Sequence, residues 1–183
     1  VFGGVATFNN APIANTGIYI SSYSAGTIFN ENIVVSSTNG QGVQFCTGNT
    51  TASTVLVSGK TISVGGAGFT TGTLLLRQFT QTGTTAQHIT LTGTGRLTFG
   101  PSSAFNGDVT STSPALFFNG CTFNAALNAT KTGATDDGST GNNNFNGNAT
   151  FTNNGTGYLL MTNAAPDTYN ADVNFVKANT GLI

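Results

Sequence analysis

FNGNATF, residues 145–151, is one of several copies of a single phrase. Phe2 opens FGGVATF (2–8), Phe29 opens FNENIVV (29–35), Phe105 opens FNGDVTS (105–111) and Tyr169 opens YNADVNF (169–175). The common form is an aromatic residue, then Asn (Gly in the copy at Phe2), a small and a polar residue, and a return to Val, Ile or Ala. Shorter versions begin at Phe118 and Phe123 and overlap, so they count as one. The starts at 2, 29, 105, 123, 145 and 169 are separated by 27, 76, 18, 22 and 24 residues, and 76 is three further units of about 25. A longer match supports the short one. TGIYISSYSAGTIFN (16–30) aligns without gaps to TGYLLMTNAAPDTYN (156–170), sharing Thr, Gly and Asn and pairing Phe29 with Tyr169.

The residues between these phrases are strand-like. Short apolar or alternating runs recur (STVLV, TISV, TLLL, HITLT, ALFF), and Gly, Asn, Ser and Thr separate them. No segment of 10–12 residues has a helical period, so the dozen-residue helical crossover of an α/β fold is missing. Units of 18–27 residues, each with two or three short strands, fit one coil of a parallel β-helix. Each strand would then pair with its equivalent one coil on, about 4.8 Å away. The expected fold is all-β: a right-handed parallel β-helix of about eight coils, with residues 1–183 forming one solenoid unit without an internal boundary. An antiparallel β-sandwich also has short strands at regular spacing, but it gives no reason for an aromatic-Asn phrase at coil spacing.

Stacking explains the phrase. Phe2, Phe29, Phe105, Phe123, Phe145 and Tyr169 would lie over one another and fill the lumen. Asn30, Asn106, Asn124, Asn146 and Asn170 would sit at the corner, passing amide hydrogen bonds along a ladder or holding a left-handed turn. Stacking also accounts for the composition. Of 183 residues only 6% are charged, whereas Thr numbers 33, Asn 22 and Gly 25. Like charges one strand apart repel, while hydroxyl and amide columns do not. The hydrophobic share of 38%, with 14 Phe, distinguishes the chain from a disordered polar tract. A net charge of -1, with Lys60, Arg77, Arg96, Lys131 and Lys177 scattered, provides no footprint for nucleic acid, and no apolar run is long enough to span a membrane.

Residues that could carry chemistry are few. His88 alternates with Ile89 and Leu91, which places it on the outer face with Thr90 and Thr92, and no partner motif makes it a catalytic base. Asp108 and Asp172 hold the same place in the phrase, about three coils apart, and read as turn caps. Asp136-Asp137-Gly138 lies in the most polar stretch and reads as a long turn; a calcium role would need more ligands. Cys46 and Cys121 have no metal-ligand spacing and read as small buried apolar residues or as a disulfide. N-x-[ST] sequons stand at Asn49, Asn128, Asn148 and Asn154. TxT triplets (71–73, 82–84, 90–92, 92–94, 110–112) fall within residues 70–112 without constant spacing, so Thr reads there as a strand former on a solvated face. A Thr/Asn face recognising glycan or ice is the alternative function.

FNGDVT (105–110), FNGNATFTNNGTGYLL (145–160), AAPDTYN (164–170), SAGTIFNENIVVSS (24–37), GKTISVGGAGFTTGTLLLRQFTQ (59–81) and NATKTGATDD (128–137) together resemble long tandem repeats in very large secreted surface proteins of gliding-type Bacteroidota. The resemblance covers nearly the whole chain, diverging at VFGGVATFNNAPIANTG and VKANTGLI. It implies one structural repeat of a longer extracellular β-solenoid acting as a fibre, adhesin or surface layer, with no catalytic residues and no cofactor. The expected function is therefore a non-enzymatic subunit or repeat of an extracellular, secreted or cell-surface filament. Its partner would be a further copy of itself, joined end to end through strand edges. In a head-to-tail tandem, Phe2 of the next copy would fall at position 185, 16 residues beyond Tyr169 and close to the shortest internal spacing of 18.

Overall fold

The computed structural model describes residues 1–11, 16–22, 26–48 and 51–183. Among these there is no helix, and every strand pairing is parallel. The chain winds past three faces in fixed order, so the fold is a parallel β-helix. The first face is one seven-stranded sheet: Thr27–Phe29, Thr54–Leu56, Phe79–Gln81, Ala104–Phe105, Thr122–Phe123, Asn144–Phe145 and Thr168–Tyr169. The second holds Ala6–Asn10, Ile33–Ser37 and Ile62–Phe69 in one sheet, then Gln87–Thr90, Val109–Ser113, Leu127–Lys131, Ala149–Asn153 and Val173–Lys177 in another. The third runs Ile18–Ile20, Gly42–Phe45, Thr73–Leu76, Arg96–Phe99 and Ala115–Phe118, followed by the pair Asp137–Gly138 and Leu159–Leu160. This makes seven complete turns, with Phe2 bridging Phe29 at one end and Val173–Lys177 beginning an eighth turn at the other.

The recurring phrase is the corner between the first and second faces. Phe29 to Ile33, Phe105 to Val109, Phe123 to Leu127, Phe145 to Ala149 and Tyr169 to Val173 each span four residues, and each pair occupies equivalent rungs. A fixed corner keeps the aromatic ring and the first inward residue of the next strand in constant relation. Strands of the second face then alternate inward and outward: Val109, Ser111 and Ser113 are buried while Thr110 is exposed.

Two seams interrupt the backbone ladders, and side chains bridge both. Between Ile62–Phe69, which carries a bulge against Ile33–Ser37, and Gln87–Thr90, the Gln87 amide takes over: Oε1 accepts the Ile62 N–H at 2.8 Å and Nε2 donates to Lys60 O at 3.2 Å. On the third face, Asp137 Oδ2 accepts the Leu116 N–H (2.8 Å), Ser139 Oγ the Phe118 N–H (3.0 Å) and Asn143 Oδ1 the Cys121 N–H (3.0 Å). Buried backbone donors need acceptors wherever the strands stand apart, and these side chains supply them. At the next corner Gly141 has φ +85°, and a Cβ there would run into the Ala165 carbonyl.

Candidate functional site

The lumen is built from the residues that the phrase puts in register. Cα pairings place Phe29, Leu56 and Gln81, then Phe105, Phe123, Phe145 and Tyr169, at equivalent positions of the first face, with Phe2 bridged beneath Phe29. The rings stack: Phe2–Phe29 at 4.9 Å, Phe105–Phe123 at 5.4 Å, Phe123–Phe145 at 5.6 Å and Phe145–Tyr169 at 5.0 Å, all within 13° of parallel. Where Leu56 and Gln81 interrupt the column, Phe79 enters from two residues earlier and lays its ring on Phe105 at 5.9 Å. Rings from the other faces meet this column edge-on, Phe99 against Phe123 and Phe151 against Phe145, both at 5.1 Å. Phe118 belongs to the third face, stacked on Phe99 at 5.4 Å, and is not a member of the Phe123 column.

Beside the ring column runs an amide ladder. Asn124 Nδ2 donates to Asn106 Oδ1 (2.6 Å), Asn146 to Asn124 (2.7 Å) and Asn170 to Asn146 (2.7 Å). Asn106 ends it below, donating to Thr82 O at 3.4 Å. Asn30 stands apart from this ladder: Gly3 lies one rung below it and Val57 one rung above, and neither side chain carries an amide. The turn residues are caps between coils. Asp108 Oδ1 accepts the Ala126 N–H at 3.0 Å, Asn148 Oδ1 accepts the Asp172 N–H at 3.3 Å, and Asn32 Oδ1 accepts the Thr61 N–H at 2.9 Å.

Asp137 departs from the long solvated turn expected of the polar stretch 131–147. It lies inside the rod in a short strand and forms an ion pair with Lys131, Nζ to Oδ2 at 3.2 Å, the two side chains 0% and 1% exposed. Lys131 takes the inward rung occupied one coil below by Ser113 and one coil above by Asn153, and it also donates to Pro114 O and Gly133 O. Burial pushes the Asp137 carboxyl above the ordinary carboxylate range, against the pull of the Leu116 N–H and of Lys131. Asp136 faces outward and caps the Tyr158 N–H at 2.8 Å. Asp167, also raised by burial, accepts from the Asn143 N–H and Nδ2 at 2.9 and 2.8 Å. Sequence reading missed this charged interior because nothing in KTGATDD distinguishes an inward Asp from an outward one.

Cys46 and Cys121 are both buried free thiols; burial raises the Cys121 thiol and keeps it protonated. His88 is exposed. Asp108 and Asp172 are three coils apart, about 14 Å by strand spacing. Among the described residues no group of three His, Cys, Asp or Glu could hold a metal ion. Asn128, Asn148 and Asn154 are exposed, and the Asn49 sequon lies outside the described residues.

The second face carries an ordered outer surface. In its five-stranded sheet Thr90, Thr112, Thr130 and Thr152 form one outward column that ends at Val176. Two residues earlier on each strand lies a parallel column of His88, Thr110, Asn128, Thr150 and Asn174. The first and last coils present apolar strand edges: Phe2 is 44% and Phe175 45% exposed. A recess lined by Leu160, Met161, Tyr169, Phe175 and Ile183 opens at the latter end. Comparison with family models, with curated proteins and with solved structures finds no match.

Proposed function

We propose that the chain is a structural, non-enzymatic β-helix module of an extracellular filament or giant surface adhesin, extended end to end through its strand edges. The observation that carries this reading is the run of equivalent side chains along one axis. Ring columns continue to both terminal coils, where Phe2 and Phe175 each have one face stacked (on Phe29 at 4.9 Å and Phe151 at 5.3 Å) and remain substantially exposed. Unpaired parallel edges topped by apolar rings favour the addition of another coil, and capping coils with polar outer surfaces are what stop such growth. The scarcity of charge supports the same role, since a module that stacks on itself has little use for repelling groups.

The Leu159 N–H donates to Leu182 O, which puts Ile183 opposite Leu159, so the third-face column continues into the last coil beside the exposed Phe175.

The test is assembly of the 183-residue chain itself. Sedimentation and electron microscopy should find rods that lengthen with concentration and share one axial strand repeat. Phe175→Lys with Val173→Lys should leave single modules of unchanged circular dichroism. Monodisperse single modules at high concentration, unaffected by these substitutions, would overturn the non-covalent form of the proposal.

A further inference from the structure

The outward surface of the second face, away from both ends, has a regularity that end-to-end extension does not require. Its two columns put a side chain every second residue along the strand, about 6.6 Å, and every coil along the axis, about 4.8 Å. Five coils give a regular net of about 19 by 7 Å at those spacings, uninterrupted by any bulge. Six of the ten positions are Thr, two are Asn, and none is Lys, Arg, Asp or Glu.

The hydroxyls are uncommitted. None of the six Thr side chains on this net makes a hydrogen bond within the protein, whereas some Thr hydroxyls elsewhere do, such as Thr94 to Thr71 (3.2 Å) and Thr82 to Leu56 O (3.3 Å). The net is held from behind by buried inward residues, among them Ile89, Val109, Leu127 and Phe151, so its spacing is set by the core. The other faces have no such array: successive outward residues are Gln44, Leu75, Thr98 and Phe117 on the third, and Val55, Thr80, Ala104 and Thr122 on the first.

A rigid, uncharged net of hydroxyls and methyls is matched to a rigid, uncharged lattice of hydrogen-bonding groups. Waters held at such spacings bond to one another as well as to the hydroxyls, and the ordering entropy is reduced because the side chains are already fixed. A mineral lattice would call for carboxylates. A polysaccharide surface would call for aromatic rings to lie on the sugars, and no Phe, Tyr or Trp stands among the ten positions. We propose that this face binds crystalline water, the surface of ice, with the Thr90–Thr152 column as the more regular of its two lines of contact.

The experiment uses the 183-residue chain, partition into a slowly growing ice front and thermal hysteresis. The native chain should enter the ice and depress the freezing point relative to the melting point. Thr112→Tyr/Thr130→Tyr should abolish both while leaving the thermal melt in place, since Tyr suits a strand. Thr122→Tyr, outward on the first face, should leave both unchanged. Should the double variant fail to fold, Thr130→Val keeps shape and strand preference, removes one central hydroxyl and should still lower partition. Exclusion of the native chain from ice, unchanged partition of a folded Tyr double variant, or retention on crystalline cellulose or chitin but not on ice would each overturn the proposal.

Discussion

Replacing Lys131 by Met tests whether the interior charge pair is a stabilising element or a tolerated burden. Lys131 and Asp137 lie 3.2 Å apart with essentially no solvent access. At an effective dielectric of about 20, unit charges at 3.2 Å attract by about 5 kcal/mol, and removing one partner of a buried pair typically costs ~3–5 kcal/mol. Lys131→Met should therefore destabilise by that amount at neutral pH. Asp137 can escape by taking up a proton, so the penalty should shrink as pH falls toward the carboxylate range. Lys131→Met/Asp137→Asn removes both charges but keeps an amide oxygen for the Leu116 N–H, and should return to within ~1–2 kcal/mol of the native chain. Lys131→Met/Asp137→Leu leaves that N–H without an acceptor and should lie lower by ~1–3 kcal/mol. Urea denaturation followed by far-ultraviolet circular dichroism gives all four stabilities, and Asp137→Asn alone completes the double-mutant cycle with Lys131→Met. A Lys131→Met penalty below ~1 kcal/mol that does not vary with pH would refute the reasoning, because it would mean that Asp137 is solvated or neutral with Lys131 present.

Three further outcomes follow from the same geometry. Phe123→Ala opens the ring column between Phe105 and Phe145 and should lower stability by ~3–5 kcal/mol in denaturant melts. Asn124→Ala breaks two amide bonds of the ladder, at ~0.5–1.5 kcal/mol each, whereas Asn30→Ala breaks none; hydrogen exchange near residues 106 and 146 should quicken only in the former. Burial raises the Asp167 carboxyl, so between the ordinary carboxylate range and its folded value the native chain holds more protons than the unfolded chain. Its contribution to stability accordingly rises as pH falls through that window, and Asp167→Asn should flatten that part of a pH–stability curve.

The legible part of this molecule is the part built on a constant corner. Four residues separate Phe29 from Ile33, Phe105 from Val109, Phe123 from Leu127, Phe145 from Ala149 and Tyr169 from Val173, so ring, amide and strand start recur as a phrase that can be read without coordinates. That was enough to predict parallel coils and the ring column, and it located the amides of Asn106, Asn124, Asn146 and Asn170. At Leu56 and Gln81 the corner lengthens to six residues, the phrase disappears, and the two coils between Phe29 and Phe105 could only be inferred from spacing.

By itself, then, the sequence determined a stack of coils, because side chains that fill the same slot must resemble one another. Only the tertiary structure decided what the variable stretches do. The path from the second face to the third takes ten residues from Leu127 to Asp137 but seven from Val109 to Leu116, so Thr90, Thr112, Thr130 and Thr152 fall into line in space while their spacing along the chain is 22, 18 and 22. The inward turn of Asp137 toward Lys131 was likewise hidden. Whether a carboxylate faces water or the lumen depends on the cation six residues before it and on the unpaired Leu116 N–H one coil away, and the second of these contacts exists only once the chain has wound past itself.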